Sequence, residues 1–274
     1  MKKLTWSHAA SYGLILILLV LVLHPFLWLL ISTFKTEQEL LKYPPTFLSD
    51  TYILSQYANV WDRLPLVQFF KNTVIFSGGV MIFSVFLDSM AGYAFARIQF
   101  KGRKVLFTLV LITMMIPFQV LMIPLFVEVY KFGLLDTYTG LILPRASSAF
   151  GIFMMRSFFI SLPKDLEESG RVDGLNEFRI YWNIMLPLCK SSMITLGIFH
   201  LMNNWNDLLY PLMMTSSTDM RTLSAGLAMF VGQRTVEYGP TLAASMLALL
   251  PLIVVYTFAQ KYFVQGAATS GLKG

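Results

Sequence analysis

The chain has 274 residues, 56% of them hydrophobic and 13% charged, with a formal net charge of +6. Soluble domains usually carry about 25% charged residues, so this chain has too little polar surface to cover so apolar a core, and lipid is its expected solvent. A single cysteine, Cys189, excludes an internal disulfide and gives no basis for a metal site.

About 20 apolar residues are needed to cross roughly 30 Å of hydrocarbon at a rise of about 1.5 Å per residue. Tyr12–Phe34 is free of Asp, Glu, Lys and Arg and is predicted to be the first span. Lys2 and Lys3 precede it in the manner of a signal peptide. Its apolar run, however, exceeds the usual length of about 7–15 residues, and no small-x-small cleavage pattern follows. An uncleaved anchor is expected. The segment after it holds Pro44, Pro45 and the aromatics Tyr43, Phe47, Tyr52, Tyr57 and Trp61, and suits an outward, interfacial lid on the bilayer surface.

A second span over Asn72–Ala96 contains one acid, Asp88, and the small residues Ala91, Gly92, Ala94 and Ala96, which let helix backbones approach. Val105–Val127 has no charge and is the third; Pro117 and Pro124 predict kinks within it. The fourth runs roughly over Tyr138–Met155 with Arg145 near one end, the fifth over Ser191–Met214 with Asp207, and the sixth over Tyr238–Gln260 with Pro251. The expected fold is therefore all-α, a polytopic membrane protein with six transmembrane helices.

Basic residues orient it. With both termini cytoplasmic, the inner side holds Lys2 and Lys3, the tight group Arg97, Lys101, Arg103 and Lys104, then Arg156, Lys164, Arg171, Arg179 and Lys190, and finally Lys261 and Lys273. That is most of the 21 basic residues, as the positive-inside bias requires. The positive charge is a topology signal, and nucleic acid has little support as a partner.

Polar groups at membrane depth are costly and tend to mark a partner or a pathway. Asp88 lies about 13 Å deeper than Arg97 by helical rise. It either pairs with another helix or subunit or faces an aqueous path. "HLMNNWNDLLYP", residues 200–211, is denser in such groups. One reading is an aromatic belt in the outer leaflet with wet neighbours. The other is a hydrated wall of a translocation path, with Asn203, Asn204, Trp205, Asn206 and Asp207 as its residues.

Between the fourth and fifth spans lies "KDLEESGRVDGLNEFRIYWNIMLP", residues 164–187, charged in an otherwise apolar chain. Pro163 suits a helix start, and Asp165, Glu167 and Glu168 suit its first turns, where the dipole favours negative charge. Gly174 is a natural stop and Asn176 a natural cap for a second helix. In that second helix Phe178, Tyr181, Trp182, Met185 and Leu186 form an apolar stripe, and Pro187 ends it. The first helix has a small-residue patch at Ser169 and Gly170, where another protein's backbone could approach. Physics thus gives a helical hairpin at the membrane surface with a docking face, but no partner.

"LEESGRVDG" followed by "FRIYWNIMLPL" resembles the EAA motif of binding-protein-dependent ABC importer permeases. Glu168, Ser169 and Gly170 fall on its Glu-Ala-Ala, Gly174 on its glycine, and Ile184, Leu186 and Pro187 on its Ile-x-Leu-Pro ending. Ser169 and Gly170 depart from the two alanines; both stay small, though Gly170 should weaken the helix by about 1 kcal/mol. "AGYAFARIQFKGRK", "MMIPFQVLMIPLF", "GLLDTYTGLILP", "FGIFMMRSFF", "WNDLLYPLMM" and the final "GLKG" also resemble carbohydrate-uptake permeases, most of all the smaller maltose-permease-type subunit.

The resemblance implies a type I importer permease fold. Residues 1–66 would be an N-terminal transmembrane helix and outward segment, and 67–274 a five-helix core with a cytoplasmic coupling hairpin at about 160–187. It implies that Glu167, Glu168, Ser169, Gly170, Asp173, Gly174 and Pro187 couple to a separate ATPase. It also implies a second related permease, a dimer of ATPase subunits and an extracytoplasmic solute-binding protein as partners, in the plasma membrane of a bacterium or archaeon. The expected function is the permease subunit of an ATP-driven importer of a sugar or sugar derivative, not itself an enzyme. No G-x-x-x-x-G-K-[ST] phosphate loop is present, so no cofactor is expected on this chain and ATP would be hydrolysed by a partner. The alternatives are a carrier driven by an ion gradient, and an importer of the same fold for another solute such as glycerol phosphate. An intramembrane enzyme is disfavoured, because His8, His24, His200 and one cysteine form no catalytic constellation.

Overall fold

The computed structural model describes residues 6–232 and 237–271. Among them there is no strand. The helices in chain order are α1 (Trp6–Ser32), α2 (Glu37–Leu40), α3 (Ser55–Arg63), α4 (Leu66–Arg97), α5 (Arg103–Thr113) and α6 (Phe118–Lys131). Then come α7 (Tyr138–Ile142), a 3₁₀ turn (Leu143–Arg145), α8 (Ala149–Ser161), α9 (Asp165–Val172) and α10 (Glu177–Ile180). A π-turn (Tyr181–Met185) leads to α11 (Leu186–Leu188), α12 (Lys190–Trp205), α13 (Leu209–Met214), α14 (Leu223–Gly232) and α15 (Tyr238–Gly271). Lys2, Lys3, Lys273 and the last three residues of "GLKG" lie outside the described residues.

The chain divides into two compact units, Met1–Pro65 with Leu227–Pro251 and Leu66–Gly226 with Leu252–Gly274. In the first, the most apolar 18-residue stretch of α1 within Ser11–Ser32 buries nothing, as a helix bathed in lipid should. Polar ties gather the segment beyond it. Thr36 caps α2 by accepting from the Glu39 amide, and Glu39 in turn accepts from Ser49, Thr46 and the Asp50 amide. The Glu37 carboxylate accepts from the amides of Tyr238 at 2.7 Å and Gly239 at 2.9 Å, a negative charge where the α15 dipole is positive. Tyr43, Tyr52 and Trp61 stand exposed here, as aromatics at a bilayer interface do.

In the second unit α4 is the axis. Asn72, Phe76, Val80, Ser84, Asp88 and Gly92 are all buried, one stripe at four-residue spacing along a single helix face. A Cβ at Gly92 would come within 2.9 Å of the Arg156 amide nitrogen and 2.7 Å of Met155 Cβ, so α4 and α8 meet nearly backbone to backbone. That is how small residues hold membrane helices together. Around this contact Tyr93, Met155, Phe159, Ile180, Tyr181, Met185, Cys189 and Leu196 form one core cluster. Phe76, Val80, Val129, Leu141, Tyr210 and Met214 form another.

Three predicted spans differ from the structure. The third is bent by 100° between α5 and α6. Pro117 takes the cap position with an extended ψ of 134°, because proline lacks an amide hydrogen and pushes its predecessor out of the helical region. The fourth is interrupted: α7 gives way to the turn at Pro144, and Ser148 caps a fresh helix, α8, of 13 residues. The fifth is a 16-residue α12 that stops at Trp205, with α13 starting anew at Leu209. The limb from Glu177 to Leu188 meets α12 at 80°. Among the described residues three helices are long and apolar enough to cross a bilayer, and five spans result when each bent pair counts as one.

Candidate functional site

Two constellations in the second unit carry the candidate residues. The first is the hairpin of α9 and α10. Asn176 caps α10, its Oδ1 accepting from the Arg179 amide at 2.9 Å, and Gly174 turns the chain at φ 76°, a left-handed conformation that favours glycine. Glu167 is buried and faces Arg97 Nε at 2.9 Å. The Arg97 guanidinium donates to the carbonyls of Phe159 and Leu162, so it pins the ends of α4, α8 and α9 together. Burial raises the Glu167 carboxyl above the ordinary range, against the lowering pull of Arg97 and Arg171. Arg171 reaches Glu167 at 3.4 Å and Glu177 at 2.9 Å, locking the two limbs.

The seven hairpin residues divide by this packing. Glu168, Ser169, Asp173 and Gly174 are exposed along the first limb and its turn. Glu167 and Gly170 are buried. A Cβ at Gly170 would lie 2.8 Å from Ile184 Cδ1 and 3.2 Å from Ile180 Cγ1, so this small residue lets α9 lie against the second limb of its own hairpin. The outward patch is Ser169 with its exposed neighbours, rather than Ser169 with Gly170. Pro187 opens α11 on an exposed face.

The second constellation is a polar network at membrane depth. Asp88 is fully buried. Its Oδ1 accepts from Ser147 Oγ at 2.6 Å and the Ser148 amide at 2.9 Å; its Oδ2 accepts from Ser148 Oγ and lies 3.2 Å from His200 Nε2. Of the two readings for Asp88, pairing within the chain is what the structure shows. The carboxylate also sits at the start of α8, where a Cβ at Gly151 would collide with it and the helix dipole stabilises negative charge. One acid thereby joins α4, α8 and α12.

Asp207 has its own partner. Arg145 meets it at 2.8 Å, donates to Asn204 Oδ1 at 3.0 Å, and lies 5.1 Å above the rings of Phe118 and Tyr210. Asn204 donates to the His200 carbonyl at 2.8 Å, so the Arg145–Asp207 ion pair and the Asp88–His200 contact belong to one network. It borders an open cleft of about 860 Å³ whose wall includes Arg145, Ser147, His200, Asn203, Asn206 and Asp207. Trp205 is not in that wall: it is buried edge-on to Phe70 at 5.6 Å. His200 opens the polar stretch that the sequence singles out, whereas Arg145 was not assigned to this site, although a cation inside an apolar run needs an anion.

Three comparisons place this architecture. Residues 88–268 match the family model for the binding-protein-dependent transport system inner membrane component. The chain is 35% identical to the arabinooligosaccharides transport system permease protein AraQ of Halalkalibacterium halodurans, over 99% of this chain and 97% of that one. It is 32% identical to the diacetylchitobiose uptake system permease protein NgcG of Streptomyces coelicolor, over 96% and 88%. In structure it resembles a chain of a bacterial ABC transporter involved in the import of alginate, with a TM-score of 0.81 at 22% identity, covering 96% of this chain and 98% of that one. With its apolar spans, its hairpin and these matches, the chain belongs to the family of binding-protein-dependent transport system inner membrane components, as a multi-pass membrane protein.

Proposed function

We propose that this chain is the permease subunit of an ATP-driven importer for a neutral sugar or short oligosaccharide. The observation that carries the solute class is the charge state of the cleft. Arg145 is bound to Asp207 and His200 faces Asp88, so no unpaired ammonium or guanidinium is among the cleft-lining residues, and the carboxylate of Glu128 on the same wall further disfavours an anionic solute. Neutral donors and acceptors on Asn203, Asn206 and Ser147 suit hydroxyls. A phosphate-bearing solute such as glycerol phosphate would need a free cation there. The permeases named for arabinooligosaccharides and diacetylchitobiose support the same class.

Coupling runs through the hairpin. Glu168, Ser169, Asp173 and Gly174 seat in an ATPase subunit, while Glu167 and Gly170 hold α9 rigid behind them and Pro187 joins the hairpin to α12. Because Arg97 ties α9 to α4 and α8, a displacement of the hairpin is passed to the helices carrying Asp88 and the cleft. Two arrangements of these helices, bound differently by the ATPase in its open and closed states, meet the requirement for allosteric drive. The partners are a second related permease, two ATPase subunits that hydrolyse ATP, and an extracytoplasmic solute-binding protein. The chain itself binds no cofactor and catalyses no reaction. It resides in the plasma membrane of a bacterium or archaeon with both termini in the cytoplasm.

Uptake of a labelled arabino-oligosaccharide into proteoliposomes holding this chain with its co-expressed subunits tests the proposal. Uptake should require ATP on the hairpin side and survive ionophores. Collapse by an ionophore with ATP present would point to a gradient-driven carrier. Uptake of glycerol phosphate in place of sugar would overturn the solute class.

A further inference from the structure

At the hairpin end of the second unit, two arginines stand together without an anion. Arg156 lies about 7 Å of helical rise short of the end of α8. Its Nε donates to the Phe95 carbonyl at 3.2 Å, and its guanidinium sits 4.1 Å above the ring of Phe107. Arg103, at the start of α5, donates to the Ile98 carbonyl at 3.1 Å. Neither makes an ion pair with a carboxylate among the described residues. Arg97, the neighbouring cation, is engaged by Glu167 and by two carbonyls.

The pair is mutually unfavourable as it stands. Arg156 is half-buried, and both burial and the nearby Arg103 charge disfavour its charged form. A guanidinium is not neutralised in proteins, so an anion brought between the two would relieve repulsion and supply the missing acceptors. The surroundings say which anion. Phe95, Phe100 and Phe107 form an aromatic group beside the arginines. Val105 and Leu106, one turn into α5, are exposed and apolar. Lys101, in the turn before α5, and Lys104, in its first turn, are exposed. A site with cations at its mouth and apolar side chains below it matches an amphiphile's polar head and chain.

From this geometry we infer that Arg103 and Arg156 hold the phosphate of an anionic phospholipid, whose acyl chain lies along α5 beside Leu106. The inference needs only a bilayer around the chain and does not depend on the transported solute. Arginine forks recognise phosphate oxygens bidentately, and Lys101 and Lys104 enlarge the field that draws an anionic headgroup to the surface.

Native mass spectrometry of the full chain, purified with its co-expressed subunits and equilibrated with equal phosphatidylglycerol and phosphatidylcholine, is the test. Wild type should retain phosphatidylglycerol preferentially. Arg103→Gln and Arg156→Gln should each lower that retention about fivefold, the equivalent of roughly 1 kcal/mol per basic residue near an anionic surface. Arg103→Lys, which keeps the charge but loses the bidentate fork, should fall between wild type and Arg103→Gln, and Lys42→Gln in the other unit should change nothing. Arg103→Gln keeps the test informative where Arg156→Gln disturbs α8. Equal retention of the two lipids, or wild-type retention in both glutamine variants, would overturn the inference. Displacement of the lipid by inorganic phosphate at a concentration that spares bulk bilayer binding would identify a soluble phosphate as the ligand and overturn the lipid assignment.

Discussion

Asp88→Leu should be among the most damaging single substitutions in this chain. The side chain is fully buried, and its two oxygens serve Ser147 Oγ, the Ser148 amide, Ser148 Oγ and His200. Leucine fills the volume and leaves those groups facing hydrocarbon. Each buried polar group left without a partner costs about 1–3 kcal/mol, and breaking a buried charged contact from one side costs about 3–5 kcal/mol. The costs overlap, because relaxing α8 relieves several groups at once, so about 4 kcal/mol is the reasoned total. At roughly 2–4 °C per kcal/mol for a chain of this size, the melting temperature should fall by on the order of 10 °C. Fluorescence-detected size exclusion after heating measures it directly. Asp88→Asn keeps the shape and one acceptor, so it should lose about half as much. A cycle with His200→Leu should return a coupling of about 1–2 kcal/mol. An Asp88→Leu protein melting within a degree or two of wild type would refute the claim that this carboxylate clasps three helices.

Other outcomes follow from the same packing. Gly170→Ala should be nearly neutral, because about 1 kcal/mol of helix propensity offsets a small shift of the Ile184 side chain; Gly170→Val should cost about 1–3 kcal/mol by forcing the limbs apart, read as a lower melting temperature. Arg145→Met and Asp207→Leu should each destabilise by about 2–3 kcal/mol, and the double variant by clearly less than their sum; additive losses would show that the pair is not coupled. Asp136 titrates below the ordinary carboxylate range. Burial alone would raise it, but the amides of Ser216 and Ser217 and the Ser217 hydroxyl overcome that. Its folded value is depressed, so its stabilisation is present above the unfolded value of 3.8 and lost as pH falls below it. The melting difference between wild type and Asp136→Asn should therefore be largest near neutral pH and vanish in that acidic window.

What could be read from the sequence followed local rules. The first and last spans, the small residue Gly92 in the second span, the cap at Asn176 and the stop at Gly174 all depend on neighbours within a few residues, where periodicity and capping are reliable guides. The bends were harder. Proline in an apolar run predicts a kink, but a turn of 100° at Pro117 depends on what the two halves pack against. Partners across the chain were not legible at all. Asp88 meets a histidine 112 positions away, so the need for a partner could be inferred and its identity could not. Gly170 shows the opposite failure. Its size pointed to close packing, and the surface it packs against is its own hairpin. Trp205 belonged by composition to a polar wall, yet helical phase turns it from the cleft toward Phe70.

The central claim is that the exposed face of the 164–187 hairpin is where a separate ATPase drives this chain. Its most direct test is co-purification of the tagged chain, expressed with its neighbouring subunits, as wild type and as Gly174→Trp. Gly174 holds a left-handed φ of 76° with open space around it, so tryptophan strains the turn and projects from the exposed face without entering any span. The account predicts that an ATPase accompanies the wild type and is lost from a variant that still inserts in the membrane and elutes as a single species. A variant that keeps its ATPase, or a wild type that brings none down in any mild detergent, would contradict it.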